Sequence, residues 1–374
     1  MARLRVGVIG CGTVAQIMWL PNLRELDEYF ELAAICDLSP GLIESLGEYY
    51  RVERRFLDYR DLVAEQLDVV IVLTPGSHAL PAIAALEAGK HVIVEKPMCY
   101  TLREADAMTA AAARAGKHLM IAYMKRYDPG YRYGRDMVQA IGQPRYVQIN
   151  VLHPAEPLYF AHHRIKRFAD VPEATLDELA REGDRLVVEA IGQVDKRLRF
   201  LYYDVFLGSM VHDVNALRGI LGRPDRVLFT TLWPDDATYP TITTLLAYEG
   251  GPRVVFTWSY LADLRDYFEE LAFIGEAGRV RIQFPSPFLK HFPTPVEVQG
   301  MDGGAEWRKR VNVSYAEAFK EELLHFHDCV TTGREPLTSG HDGREDIAVL
   351  QEIVAALGPA GLGGEAAATM NDEI

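Results

Sequence analysis

Cysteine is scarce in this chain: Cys11, Cys36, Cys99 and Cys329 are the only four in 374 residues. They form no CxxC pair and no ligand-like spacing, which argues against a disulfide scaffold or a cysteine metal centre and makes reduced thiols in a cytoplasmic protein the simplest reading. Long apolar runs are absent as well. None approaches the roughly 18 residues that a spanning helix needs. Met1 to Arg5 leads into Val6-Gly7-Val8-Ile9 with no apolar h-region or cleavage site of a secretory signal. Positive charge is in deficit, with 39 Lys and Arg against 53 Asp and Glu, a net charge of −14 that repels nucleic acid and anionic membrane surfaces. No HExxH, nucleophile elbow or P-loop is found, and the scattered histidines do not suggest a metal site.

What is there is an ordinary globular composition: 49% hydrophobic and 25% charged residues over a length that predicts two domains. Up to about residue 124, short apolar runs alternate with amphipathic stretches. Strands are expected at Leu4 to Ile9, Glu31 to Cys36, Val69 to Leu73, His91 to Val94 and His118 to Ala122. Helices are expected at Ala15 to Leu26, Leu42 to Tyr49, Ala79 to Ala88 and Leu102 to Ala115. Strands apolar on both faces, separated by helices, predict a doubly wound parallel sheet covered on both sides.

Beyond residue 140 the strands lengthen, alternate and follow one another directly: Tyr146 to Val151, Arg226 to Leu232, Thr241 to Tyr248, Arg253 to Tyr260 and Glu269 to Ile274. That pattern predicts a second domain with a mostly antiparallel sheet. A charged stretch, Pro172 to Arg199, and an apolar helix, Phe200 to Leu221, lie between these strands and read as an insertion of about 155–200 that shapes a pocket. The expected division is 1–124, 125–357 and a small-residue tail, 358–374. The last helices, Tyr315 to Thr331 and Gly343 to Ala356, are expected to pack back on the body.

The first strand runs into Gly10-Cys11-Gly12-Thr13-Val14-Ala15. In this GxGxxA turn Gly10 permits the bend, Gly12 lets the backbone approach a pyrophosphate, and Ala15 allows close helix packing. The helix N-terminus presents N–H groups to the phosphates. Asp37 ends the next strand 22 residues after Ala15, where a carboxylate accepts hydrogen bonds from ribose hydroxyls. It disfavours a 2′-phosphate, and Leu38-Ser39-Pro40 offers no Arg or Lys to offset it, so NAD is expected over NADP. A bare glycine turn, and for Asp37 a helix cap, are the alternatives.

Thr74-Pro75 with His78, and above all Gly89-Lys90-His91-Val92-Ile93-Val94-Glu95-Lys96-Pro97, resemble the glucose-fructose oxidoreductase and inositol dehydrogenase family (Gfo/Idh/MocA). The likeness continues through Tyr123-Met124-Lys125-Arg126-Tyr127-Asp128-Pro129, Met210-Val211-His212-Asp213, Phe319 to Phe326 and Pro336-Leu337-Thr338-Ser339-Gly340. It spans nearly the whole chain except about 155–200. The resemblance implies a Rossmann domain, an α/β second domain whose open, mostly antiparallel sheet forms homodimers or homotetramers, and hydride transfer between a nicotinamide and a carbinol or carbonyl carbon of a sugar or cyclic polyol. It places Thr74, Pro75, His78, Glu95, Lys96 and Pro97 beside the cofactor, and Lys96, Tyr123, Lys125, Arg126, His212 and Asp213 beside the substrate.

Alcohol oxidation needs a base and a cationic or donor group at the same oxygen. Lys96 follows a buried strand at its carboxyl end, the edge where such sheets bind ligands; a plain surface turn is its alternative. His212 exchanges a proton near neutral pH, against the alternative of a satisfied core histidine. Asp213 lies about 100° further around the helix, which suits a structural or cofactor-side contact. The chain departs from the family at Gly208, where most dehydrogenase members carry Asp one turn before the histidine. Asp204 lies about 12 Å away along a regular helix, so Tyr203, a distorted Asp204, Tyr123 and Lys125 are the candidate substitutes.

The basic run His162-His163-Arg164-Ile165-Lys166-Arg167 reads first as a solvated loop and second as a seat for a substrate carboxylate or phosphate. Tyr159, Phe160, Phe168, Phe200, Tyr202 and Tyr203 are candidates for a sugar floor, though core packing claims most of them. The expected function is NAD-dependent oxidation of a sugar, inositol or related cyclic polyol. Redox-neutral elimination or epimerisation, and a noncatalytic NAD or metabolite sensor, are the alternatives.

Overall fold

The computed structural model describes residues 3–155, 157–234 and 236–357. The expected tail, 358–374, lies outside them. The strands are β1 Leu4–Ile9, β2 Phe30–Cys36, β3 Arg54–Phe56, β4 Val69–Val72, β5 His91–Glu95, β6 Leu119–Ala122 and β7 Tyr146–His153. Further on come β8 Arg226–Trp233, β9 Thr241–Ala247, β10 Arg253–Tyr260, β11 Phe268–Ile274, β12 Gly278–Phe284, β13 Pro295–Asp302 and β14 Ala305–Asn312.

Two compact units emerge. Among the described residues, the first contains 3–127, 160–190 and 318–347, and the second 128–159, 191–317 and 348–357. The first unit holds a parallel six-stranded sheet of order β3-β2-β1-β4-β5-β6. Its central strands β1, β4 and β5 are buried on both faces, as the all-apolar Val69-Val70-Ile71-Val72 requires. The order reverses between β1 and β4, and a crevice at the carboxyl ends of strands at such a switch point is where ligands bind.

The added segments tie themselves into this unit. Helix Ala318–Thr332 packs Phe319 edge-on against Trp19, and Thr338 O accepts from Ile121 N at 2.8 Å beside β6. Helix Glu173–Ile191 buries Leu186 and Val187 and holds Arg103 through a two-pronged pair with Glu189 at 2.6 and 2.9 Å. Most of the expected charged insertion, 160–190, is thus a loop and an amphipathic helix that belong to the first unit, while 191–200 belong to the second.

The second unit holds an eight-stranded sheet, β14-β13-β12-β11-β7-β10-β9-β8. Every neighbouring pair is antiparallel except β7 with β10. Strands β12 to β14 add to those expected, because Arg279, Arg281, Gln283 and the Arg308-Lys309-Arg310 run hide their alternation behind charge. Helix Pro129–Ala140, capped by Asp128, meets this sheet through Gly134 against Ile282.

The expected single helix Phe200–Leu221 is corrected to three joined segments: α-helical Lys196–Leu201, π-helical Tyr202–Met210 and α-helical Val211–Leu221. A π-turn widens the spiral by a residue, so spacing arguments for a regular helix do not carry across it.

Candidate functional site

Gly10 has φ +90°, and a Cβ there would stand 2.7 Å from the backbone of Leu73 and Thr74. Only glycine permits β1 and β4 to come this close. Gly12 is exposed, and a Cβ would meet nothing within 4 Å, so an open cradle lies over the turn. Thr13 and Val14 start the helical segment whose π-turn is Ala15–Trp19, with Ala15 buried against the sheet. The first N–H groups of this segment lack intrahelical acceptors.

Asp37 closes the same crevice. Its Oδ2 accepts from Cys11 N at 2.8 Å and its Oδ1 from Ser39 N at 3.0 Å. These two bonds fix the carboxylate beside the glycine turn, where a ribose diol would reach it. The residues therefore fit a dinucleotide: an uncrowded glycine for the pyrophosphate, a helix start behind it and a braced carboxylate for the ribose.

The loops after β4 and β5 complete the rim. Thr74 and Pro75 follow β4, and buried His78 begins helix Ala79–Glu87. Its Nδ1 donates to Pro97 O at 2.7 Å, a bond that fixes the tautomer because a carbonyl only accepts. Burial lowers its pKa to about 4, so the ring is neutral and pins the two loops together. Glu95, buried at the end of β5, accepts from Trp19 Nε1 at 2.9 Å and from Lys96 N at 3.0 Å. Burial raises its pKa, and Lys96 opposes that rise. These bonds make Glu95 a brace for Lys96, which is part-exposed at the carboxyl edge and joined to Pro97 by a cis peptide.

A 3₁₀ turn, Met124–Tyr127, places Tyr123, Lys125 and Arg126 in buried positions after β6. Arg126 pairs with Asp342 at 3.5 Å, and Tyr127 shares its hydroxyl with Thr338 Oγ1 at 2.6 Å. Arg126 thus ties this turn to the C-terminal segment.

In the second unit His212 is part-buried at the start of helix Val211–Leu221, and Asp213 is wholly buried. Tyr131 Oη donates to Ala216 O at 2.8 Å, and Trp258 Nε1 donates to Ser209 Oγ at 2.9 Å, so sheet and helices fix the histidine's segment. Asp204, a candidate substitute for the missing carboxylate, accepts from Tyr239 Oη at 2.9 Å. At Gly208 a Cβ would stand 3.4 Å from Tyr203 O.

Two residues here escaped the sequence reading. Tyr267 donates to buried Glu269, and its pKa is pushed up by burial and by the charges of Glu269 and Asp213. His153 lies edge-on to Tyr267 at 5.6 Å, and the rings of Tyr239 and Tyr260 meet tilted at 4.6 Å. The available signal was Glu269 itself: on the inward face that Leu271 and Phe273 share, a carboxylate breaks the apolar alternation. Of the six aromatics singled out earlier, Tyr202 is core, Phe168 and Tyr203 are exposed, and Phe200 lies edge-on to Tyr239.

His162, Arg164 and Arg167 of the basic run are exposed, as a solvated loop requires, while Lys166 is anchored. Gln16 Nε2 donates to Lys166 O at 3.1 Å, Lys166 N donates to Gln16 Oε1 at 2.8 Å, and Lys166 Nζ donates to Ser45 Oγ at 2.5 Å. Among the described residues, no group of three or more His, Cys, Asp or Glu side chains is arranged to hold a metal, and no helix is long and apolar enough to cross a membrane.

Residues 4–123 match the GFO_IDH_MocA model, an oxidoreductase family with an NAD-binding Rossmann fold. The chain is 24% identical to a myo-inositol 2-dehydrogenase of Thermotoga maritima, covering 91% of this chain and 92% of that one. It is 27% identical to a D-apiose dehydrogenase of Paraburkholderia graminis over 93% and 86% of the two chains. The crystal structure of an aldose-aldose oxidoreductase from Caulobacter crescentus superimposes with a TM-score of 0.71 over 95% of this chain and 97% of that one, at 24% identity. Residues 4–123 thus match the NAD-binding Rossmann domain of an oxidoreductase family, and nearly the whole chain is similar to dehydrogenases named for inositol and for apiose.

Proposed function

We propose that the protein oxidises a secondary hydroxyl of a cyclic polyol or sugar, inositols included, with NAD as preferred acceptor. The observation that carries this reading is Asp37, braced by Cys11 N and Ser39 N beside an uncrowded Gly12. A fixed carboxylate there favours a ribose diol and repels a 2′-phosphate. Relatives named for inositol and for apiose support the substrate class.

NAD supplies the hydride acceptor when bound. In this reading Gly10, Gly12, Thr13, Val14 and Ala15 form its phosphate cradle, and the Thr74-Pro75 and Lys96-Pro97 loops border it. Lys96 holds the reacting oxygen and stabilises its growing negative charge. His212 takes the hydroxyl proton at an imidazole nitrogen and returns it in the reverse direction. Asp213 supplies the negative charge that Gly208 lacks, supported by the Tyr267–Glu269 pair. Tyr123 and Lys125 line the substrate, and the open sheet of the second unit serves as the face of a homodimer or homotetramer.

Lys96→Ala and His212→Asn test the assignment. Each should lower kcat by about 100-fold or more while the NAD dissociation constant, measured by calorimetry, stays within a few-fold for His212→Asn. Full turnover in either variant would remove that residue from the reaction.

A further inference from the structure

The arm 160–170 reaches the ribose end of the nucleotide crevice within the first unit. Asp170 Oδ1 accepts from Ser39 Oγ at 2.5 Å, and its Oδ2 accepts from Gly41 N at 2.7 Å. Ser39 caps helix Pro40–Tyr50, so Asp170 lies at the positive end of that helix. Phe168 covers the adjoining backbone, since a Cβ on Gly41 would stand 2.6 Å from its ring. The reciprocal Gln16–Lys166 pair anchors the same arm to the fingerprint helix.

From this arrangement we propose that Asp170 is a cofactor-specificity residue, a second carboxylate at the ribose end that excludes the 2′-phosphate of NADP. The inference rests on the proposed role of Asp37 at the ribose. A 2′-phosphate in that place would seek donors from the loop after β2. Ser39 N already serves Asp37, while Ser39 Oγ and Gly41 N already serve Asp170. The phosphate would have to displace Asp170 and then sit beside two carboxylates. The arm's Lys166 does not relieve this charge: its ammonium is directed to Ser45 Oγ and lies 5.7 Å from the Tyr49 ring centre. The bonds from Ser39 and Gly41 hold the Asp170 carboxyl below its ordinary pKa, so it stays ionised at neutral pH.

The test is calorimetric titration of the full chain with NAD and with NADP. The wild type should prefer NAD, and Asp170→Asn should narrow the ratio of the two dissociation constants by about tenfold, through tighter NADP binding. Asp170→Glu, which keeps the charge, should stay near the wild-type ratio. A ratio unchanged in Asp170→Asn, with an unchanged melting temperature, overturns the proposal, as does an equal shift in Asp170→Glu. Failure of the underlying reading looks different: the wild type itself would bind NADP as tightly as NAD, or Asp37→Ala would leave NAD binding intact.

Discussion

The two units offer different kinds of surface to a ligand. In the first, the surface offered to the cofactor is largely backbone: a glycine turn, a helix start and one carboxylate bonded to main-chain N–H groups. In the second, the candidate site is built from side chains on separated elements, with His212 and Asp213 on a helix and Tyr267 and Glu269 on or beside β11. Backbone recognition demands particular residues at fixed spacing within a few positions. Side-chain recognition demands only that strand register and helix pitch bring the right groups together.

The contrast can be broken at the glycines first. Gly10→Ala forces a Cβ onto the Leu73–Thr74 backbone at positive φ, and should cost about 2–4 kcal/mol of stability, read by chemical denaturation. Gly12→Ala meets open space, so the melting temperature should hold within a degree or two while NAD affinity falls. Equal destabilisation by both would mean that the turn serves folding alone.

A smaller effect is expected in the second unit. Tyr267→Phe removes one donor from buried Glu269 and should cost about 1–2 kcal/mol, a fall of roughly 2–4 °C in melting temperature. NAD binding should be untouched. A loss of NAD affinity would show that the two kinds of recognition are not separable.

The smallest effect concerns Glu322, buried on helix Ala318–Thr332 within the first unit with neither oxygen hydrogen-bonded among the described residues. Burial, and then the charge of Glu95, raise its pKa well above 4.5. The unfolded chain releases this proton near its ordinary pKa and the folded chain only at much higher pH, so stability declines as pH rises through that window. Glu322→Gln should flatten the decline and raise the melting temperature at neutral pH by about 2 °C. A lower melting temperature at pH 7, with the slope unchanged, would contradict a protonated Glu322.

The same difference explains what was legible beforehand. The parallel sheet, the Gly10 to Ala15 turn and Asp37 are written locally, in apolar runs and glycine spacing. The anchoring of the 160–170 arm was not, because Lys166 meets Gln16 and Asp170 meets Ser39 across more than a hundred residues. Tyr267 and Glu269 were missed because their meaning depends on which face of β11 turns inward. The π-turn at Tyr202–Met210 was invisible because its apolar residues Val205, Phe206, Leu207 and Met210 read like one face of a regular helix, and it undoes the regular-helix distance between Asp204 and His212. Strand β14 was hidden by its charges, although an exposed edge strand is where charges serve.

The most direct test of the account is the appearance of reduced-nicotinamide absorbance when the wild-type protein is mixed with NAD and a panel of inositols, sugars, sugar acids and amino sugars. The account predicts turnover with at least one cyclic polyol or sugar, faster with NAD than with NADP, and lost in Lys96→Ala. Tight NAD binding with no absorbance change across the whole panel would contradict it.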